Sequence, residues 1–302
     1  MGALEQLPQL AVYGVVSGSI ITLGAVGLSL TYSILRFSNF SHGDLMTTGA
    51  YMGLGFLWLF QGLLPGRWAP LSFGPALLPA LALAMVGNAG LAIVVDRLVF
   101  RRLRRAKPVL LLMAAVGVAF VLRNLVLFGA QSDPLYYSRR IQRALVLGGI
   151  RIKADQLFVI GVALLAVLAL HLFLRYTKTG KAMRAMADNP DLAQVSGINT
   201  ERVVIWTWAL GAALAALAGI LSGIENKLIT PELGWQTLLP LFAAVILGGI
   251  GSPYGAMLGG MTIGLAEEVS TAFISTSYKP AVAFGVLVVM LLVRPQGLLG
   301  RR

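Results

Sequence analysis

The chain has 302 residues, 57% of them hydrophobic and 12% charged, and a formal net charge of +12. A soluble domain is nearer a quarter charged, so this chain lacks the polar surface to coat a globule, and lipid must solvate much of it. Cysteine is absent and the only histidines are His42 and His171, which excludes a disulfide framework, a thiolate metal site and a histidine-rich metal centre.

A span needs about 20 residues, so about eight or nine helical spans would use most of the length and leave no room for a large water-soluble domain. The start, MGALEQLPQL, has no basic n-region and reads as uncleaved, and Gln6 stands where a lipidation signal wants Ser or Thr. Residues 7–35 carry no charge and make a first span; RFSNFSHGD follows at 36–44, and 45–64 make a second span. Pro65, Gly66 and Arg67 turn the chain into a third, 71–95. DRLVFRRLRRAK, 96–107, sets Arg97, Arg101, Arg102, Arg104, Arg105 and Lys107 against Asp96, and the positive-inside rule makes it a cytoplasmic loop. A fourth span, 109–128, leads to an external loop, 129–155, with a hairpin-like ALVLGGIRI around Gly148 and Gly149. Its Arg139, Arg140, Arg143, Arg151 and Lys153 run against that rule; the alternation of spans decides, because long loops weaken it.

Residues 157–174 make a fifth span and 203–221 a sixth, rich in the small residues that let helices approach closely. The segment 222–234 is external. Two short apolar runs, 238–247 and 256–266, flank GGIGSPYG and make a candidate broken or re-entrant segment, and 280–293 is the last span. Arg294, Arg301 and Arg302 put the C-terminus in the cytoplasm. Nine spans place the N-terminus outside and eight place it inside. The fold class is all-α, a single polytopic transmembrane domain over 1–302. Basic residues gather in loops and ends, so nucleic acid is not an expected partner.

Between the fifth and sixth spans lies a polar island, 175–202, which reads as two short helices. Asn189 suits the N-cap of the second, Pro190 its first position, Asp191 its dipole, Leu192 and Val195 one apolar stripe, and Gly197 its left-handed end. Thr200 would then cap the next span. Upstream, Lys181 and Arg184 share a face beside Ala182, Met183, Ala185 and Met186. An amphipathic helix lying on lipid is the plainer reading, but the Asn-Pro break and the acids Asp188 and Asp191 favour a protein partner.

Elsewhere, Asn39, Ser41, His42 and Asp44 set polar groups between apolar helices at the end of the first span, which marks a pathway or a buried network. The late glycines offer bare backbone, for tight packing or for a path, and the two segments are candidates for inverted halves of one design. Arg123 reads as a snorkelling interfacial anchor and His171 as an interfacial residue. Glu267 and Glu268 follow an apolar run without a histidine or lysine nearby in sequence.

Three motifs, GKAMRAMADNPDLAQVSGINTERV, FSNFSHGD and LGGIGSPYGAMLGG, with the ending RPQGLLGRR, resemble the permease subunits of branched-chain amino acid ABC importers, in order and over about 15–300. The resemblance is nearest to the LivH type. It implies two cytoplasmic ATPase subunits, a second, LivM-type permease, a periplasmic substrate-binding protein and a bacterial inner-membrane location. It also implies an ATPase-coupling set of Gly180, Lys181, Arg184, Asp188, Asn189, Pro190, Asp191, Ala193 and Gly197. The pathway set is Asn39, Ser41, His42, Gly43, Asp44, Gly248, Gly249, Gly251 and Gly255. No GxxxxGK[ST] loop is present, so ATP would be hydrolysed on another chain; the protein is read as a transport subunit, not an enzyme, with no cofactor or metal. The alternatives are an ion-coupled secondary transporter using Glu267 or Glu268, and a permease of the same kind for urea or short amides. A serine protease would need a histidine base beside an accessible serine such as Ser222, and both histidines lie toward the other face.

Overall fold

The computed structural model describes residues 3–66, 68–104, 106–138 and 142–300. Arg67, Arg105, Arg139, Arg140, Arg301 and Arg302 of the basic clusters lie outside the described residues. In chain order the helices are α1 (Ala3–Leu35), α2 (His42–Leu63), α3 (Leu77–Val95), α4 (Arg101–Leu103), α5 (Pro108–Ala130) and α6 (Ala154–Tyr176). They continue as α7 (Lys178–Asp188), α8 (Pro190–Val195), α9 (Thr200–Asn226), α10 (Leu233–Gly248), α11 (Pro253–Ser270) and α12 (Lys279–Val293). Among the described residues six helical stretches are long and apolar enough to cross a membrane, and α1 and α9 are the most buried of them.

The basic segment after α3 is not a loop from its start. A π-helical turn, Asp96–Phe100, joins α3 to α4 and carries the helix to Leu103. Arg104 then folds back to Asp96 at 2.7 Å and reaches Glu201 in the first turn of α9 at 2.6 Å. The cations at this end are therefore partly neutralised by Asp96 of the same segment and by Glu201, which neighbours them only in space.

Two halves of the chain pack as inverted copies. α1, α2, α3 and α5 match α9, α10, α11 and α12: α1 packs on α11 as α9 packs on α3, and α2 packs on α9 as α10 packs on α1. α2 touches α5 as α10 touches α12. The close approaches are reciprocal. A Cβ on Gly27 would meet the Gly211 carbonyl oxygen at 2.8 Å, and one on Gly211 would meet that of Gly27 at 3.2 Å. The same exchange joins Gly43 and Gly234, each backbone pressed on the other. Mutual contact of this kind is the mark of a two-fold axis, here passing between α1 and α9. Because α1 ends beside α7 and α9 starts there, the axis lies across the helices, the inverted-repeat arrangement of many transporters.

Small residues make this packing possible. Gly14 and Gly18 of α1 lie against Gly264 and Leu265 of α11, so each helix offers a small-xxx-small face. Asn88 of α3 donates to the carbonyls of Leu45 (2.9 Å) and Ala212 (2.8 Å) and accepts from Thr48 (2.9 Å), tying α3 to α2 and α9 with no buried amide atom unpaired.

The end away from α7 and α8 carries two short sheets. β2 (Leu145–Leu147) and β3 (Ile150–Ile152) form the expected hairpin around Gly148 and Gly149, both at positive φ. β1 (Leu135–Tyr136) pairs with β4 (Leu228–Ile229). This pairing carries Tyr137 into the bundle, where its hydroxyl donates to the Ala50 carbonyl at 2.6 Å; burial pushes the phenol above its ordinary pKa.

Candidate functional site: a mid-bundle junction and a capped helix pair

The segment 36–44 does not lie at the end of the first span as its sequence implied. It leaves α1 at Arg36 and runs extended back into the bundle. Phe37 stacks with Phe100 at 5.1 Å and meets Trp208 at 6.5 Å, whereas Met46 lies against Gly219. Trp208 and Gly219 are about 16 Å apart along α9, so α2 starts deep inside. Its partner through the two-fold is the segment 227–232, which likewise re-enters before α10, so the segment 222–234 is not a loop outside the bundle. The counterpart of FSNFSHGD is therefore not GGIGSPYG. The N-termini of α2 and α10 meet at Gly43 and Gly234, and Thr47 accepts from the Gly234 amide at 2.9 Å.

Around this junction the polar residues are buried. Asn39, Ser41 and His42 are 0% exposed and Asp44 is 1% exposed. Asn39 Oδ1 accepts from the amide (3.2 Å) and hydroxyl (2.6 Å) of Ser41. His42 Nε2 lies 3.0 Å from the Gly24 carbonyl, which makes Nε2 the donor, while among the described residues no partner reaches His42 Nδ1 or Asn39 Nδ2. Arg123 is not a snorkelling anchor: its guanidinium donates twice to Asp44, at 3.0 Å each, and sits 5.0 Å from the Trp235 ring centre. A charge inside lipid needs such a partner, and the sequence hid it because the two residues are far apart in the chain.

The late glycines lie at the α7–α8 end. Gly248 and Gly255 press backbone on backbone between α10 and α11. Gly249, at φ 108, receives the chain end, where the Leu298 and Leu299 amides donate to the Leu247 (2.8 Å) and Gly248 (2.9 Å) carbonyls. Gly251 lines a cavity of about 760 Å³ together with Arg36, Lys181, Arg184 and Asp188. The structure thus separates the two pathway segments: one is at the junction, the other beside the helix pair. His171 belongs to this end too, its Nδ1 2.9 Å from the Tyr254 hydroxyl.

The helix pair itself follows its sequence closely. Thr177 caps α7 through the Gly180 amide (2.9 Å). Asn189 caps α8, its Oδ1 accepting from Asp191 (3.1 Å) and Leu192 (3.0 Å). Gly197, at φ 83, ends it, and the Ile198 amide returns to the Ala193 carbonyl at 3.0 Å. Asn199, not Thr200, caps α9 through the Arg202 amide at 3.0 Å. Gly180, Met183, Met186 and Ala193 are buried and anchor the pair to the bundle. Lys181, Arg184, Asp188, Asn189 and Asp191 are exposed, Pro190 is half-buried, and Gly197 is exposed. Leu192 (60% exposed) and Val195 (82%) leave an apolar stripe uncovered.

Inverted halves, re-entrant helix starts at mid-bundle and a capped helix pair at one end define a polytopic membrane permease. The model of the family described as the permease component of the branched-chain amino acid transport system matches residues 10–291, and the chain belongs to that family. It is 35% identical to the high-affinity branched-chain amino acid transport system permease protein LivH of Escherichia coli K12, over 95% of this chain and 94% of that one. It is 32% identical to BraD of Pseudomonas aeruginosa, a permease protein of the same description, over 99% and 96%. A partial match, 29% over 45% of this chain and 32% of the other, links it to the E. coli permease protein LivM. No solved structure matches the chain.

Proposed function

We propose that this chain is the LivH-type pore subunit of an ATP-driven importer for branched-chain or related hydrophobic amino acids in a bacterial inner membrane. It forms the pore with a LivM-type permease, takes substrate from a periplasmic binding protein and is driven by two cytoplasmic ATPase subunits. The observation that carries this reading is the helix pair: α7 and α8 are capped at their starts, anchored by buried methionines, and present Leu192 and Val195 beside Lys181, Arg184 and Asp191. An exposed apolar stripe rimmed by charges suits a protein partner. This end, with the C-terminus beside it, is then cytoplasmic.

The translocation path runs by the junction of α2 and α10, where Asn39, Ser41, His42 and Asp44 are buried together. A cluster of buried polar side chains at mid-bundle suits a site that contacts substrate during the cycle. Gly43, Asp44 and Ser41 shape this point, and Gly248, Gly249, Gly251 and Gly255 form the closely packed inner mouth. The test is radiolabelled leucine uptake into proteoliposomes holding the co-purified assembly, with binding protein outside and ATP inside. Uptake should require ATP. Uptake driven by a proton or sodium gradient through this chain alone would sink the proposal and favour an ion-coupled carrier.

A further inference from the structure

At the end away from α7 and α8, a cavity of about 340 Å³ lies among α1, α6, α9, α10 and α11. That volume is at the low end of the range for small-molecule sites, about 300–1,000 Å³. α1 lines it with Tyr13 and a branched aliphatic wall of Val16, Ile20 and Ile21. Its charged lining is Lys153, Glu225, Glu267 and Glu268, a set that cannot face lipid and so marks an aqueous vestibule. Thr237 and Pro240 of α10 also line it, the first within one helical turn of Gly234, so the cavity leads toward the junction.

The four charged groups are not equivalent. Glu268 is engaged by Lys279 at 2.6 Å, and Glu225 accepts from Gln156 at 2.9 Å. Glu267 is only 6% exposed, and among the described residues no hydrogen bond reaches its carboxylate. Lys153 makes no ion pair among the described residues. The Glu267 carboxylate opens to the cavity near Glu268 and Lys279. Here a carboxylate and an ammonium that make no ion pair among the described residues share one small space with an aliphatic wall.

We infer that this cavity receives the zwitterion of a small hydrophobic amino acid between the binding protein and the junction, with its ammonium on Glu267, its carboxylate on Lys153 and its side chain against Val16, Ile20 and Ile21. The inference rests on the importer reading and adds an outer substrate site inside this one permease. A simple cation would use Glu267 but would have no use for Lys153 or the aliphatic wall, so ligand analogues separate the two cases.

The experiment is equilibrium binding of L-leucine to the purified permease pair in nanodiscs, without binding protein or nucleotide. Leucinamide, which lacks the carboxylate, and 4-methylpentanoate, which lacks the amine, serve as competitors. Leucine should compete at least tenfold better than either. Glu267→Gln and Lys153→Met should each weaken leucine binding at least tenfold. Ser17→Phe, which leaves every charge in place and fills space beside the α1 wall, should do the same in monodisperse protein. Equal leucine binding by wild type and all three variants overturns the site. Leucinamide competing as well as leucine, with Lys153→Met harmless, overturns the zwitterion in favour of a cation site. ATP-driven leucine uptake at the wild-type KM in Glu267→Gln overturns the cavity while leaving the importer reading intact. Wild type without ATP-driven uptake overturns the importer reading, and the nucleotide-free binding data still judge the cavity.

Discussion

Asp44 and Arg123 show what a single pair does inside a low-dielectric bundle. Both oxygens of Asp44 accept from one guanidinium, and Asp44 is 1% exposed. Removing one partner strands the other, at a cost of about 3–5 kcal/mol for a buried pair. Asp44→Asn or Arg123→Gln should therefore lower the thermal midpoint in detergent sharply, and the double variant Asp44→Asn with Arg123→Gln should recover part of the loss. Losses that simply add in the double variant would show that the two residues do not act as a pair. From the sequence, Arg123 read as a snorkelling residue because nothing local offers it an acid. Its partner sits across two helices, and long-range ion pairs leave no trace in spacing. Glu268 and Lys279 repeat the lesson: the lysine that neutralises Glu268 follows a turn that brings α12 back along α11.

The elements divide by how local their determinants are. The helix pair at 177–199 was legible almost residue by residue, because caps, first-position proline and left-handed glycine act over a few residues. Only the α9 cap moved by one residue, from Thr200 to Asn199, whose side chain reaches the Arg202 amide. Asn189→Ala should cost about 1 kcal/mol and speed hydrogen exchange at the Asp191 and Leu192 amides while leaving α9 protected; unchanged exchange there would rule out the cap. The re-entrant starts of α2 and α10 were not legible. FSNFSHGD looks like any polar turn between spans, and its true depth depends on Gly43 meeting Gly234 from the other half of the chain. Gly234→Val should force these backbones apart and yield protein that is no longer monodisperse. A well-folded Gly234→Val protein with the wild-type thermal midpoint would contradict the close crossing.

At the scale of the whole molecule, composition alone placed the chain in lipid, and the order of its motifs placed it among permeases. The two-fold was beyond sequence reading, because it lives in which helices touch and not in matching letters: Gly27 answers Gly211, and Gly43 answers Gly234, in otherwise dissimilar surroundings. The symmetry puts the junction near the axis between the two halves, with the helix pair on one side of it and the charged cavity on the other. α9 links the helix-pair end to the junction: its first turn is held to Arg104 by Glu201 and its middle packs on α1 and α2.

The central claim is that α8 faces the cytoplasm and grips an ATPase. The chain has no cysteine, so Leu192→Cys places one thiol on the exposed stripe of α8. In cells expressing the full assembly, this thiol should resist a membrane-impermeant maleimide added from outside, and in inverted vesicles it should cross-link to an ATPase subunit with an efficiency that changes when ATP is added. Labelling from outside, or a thiol in inverted vesicles that never cross-links to the ATPase, would contradict the account.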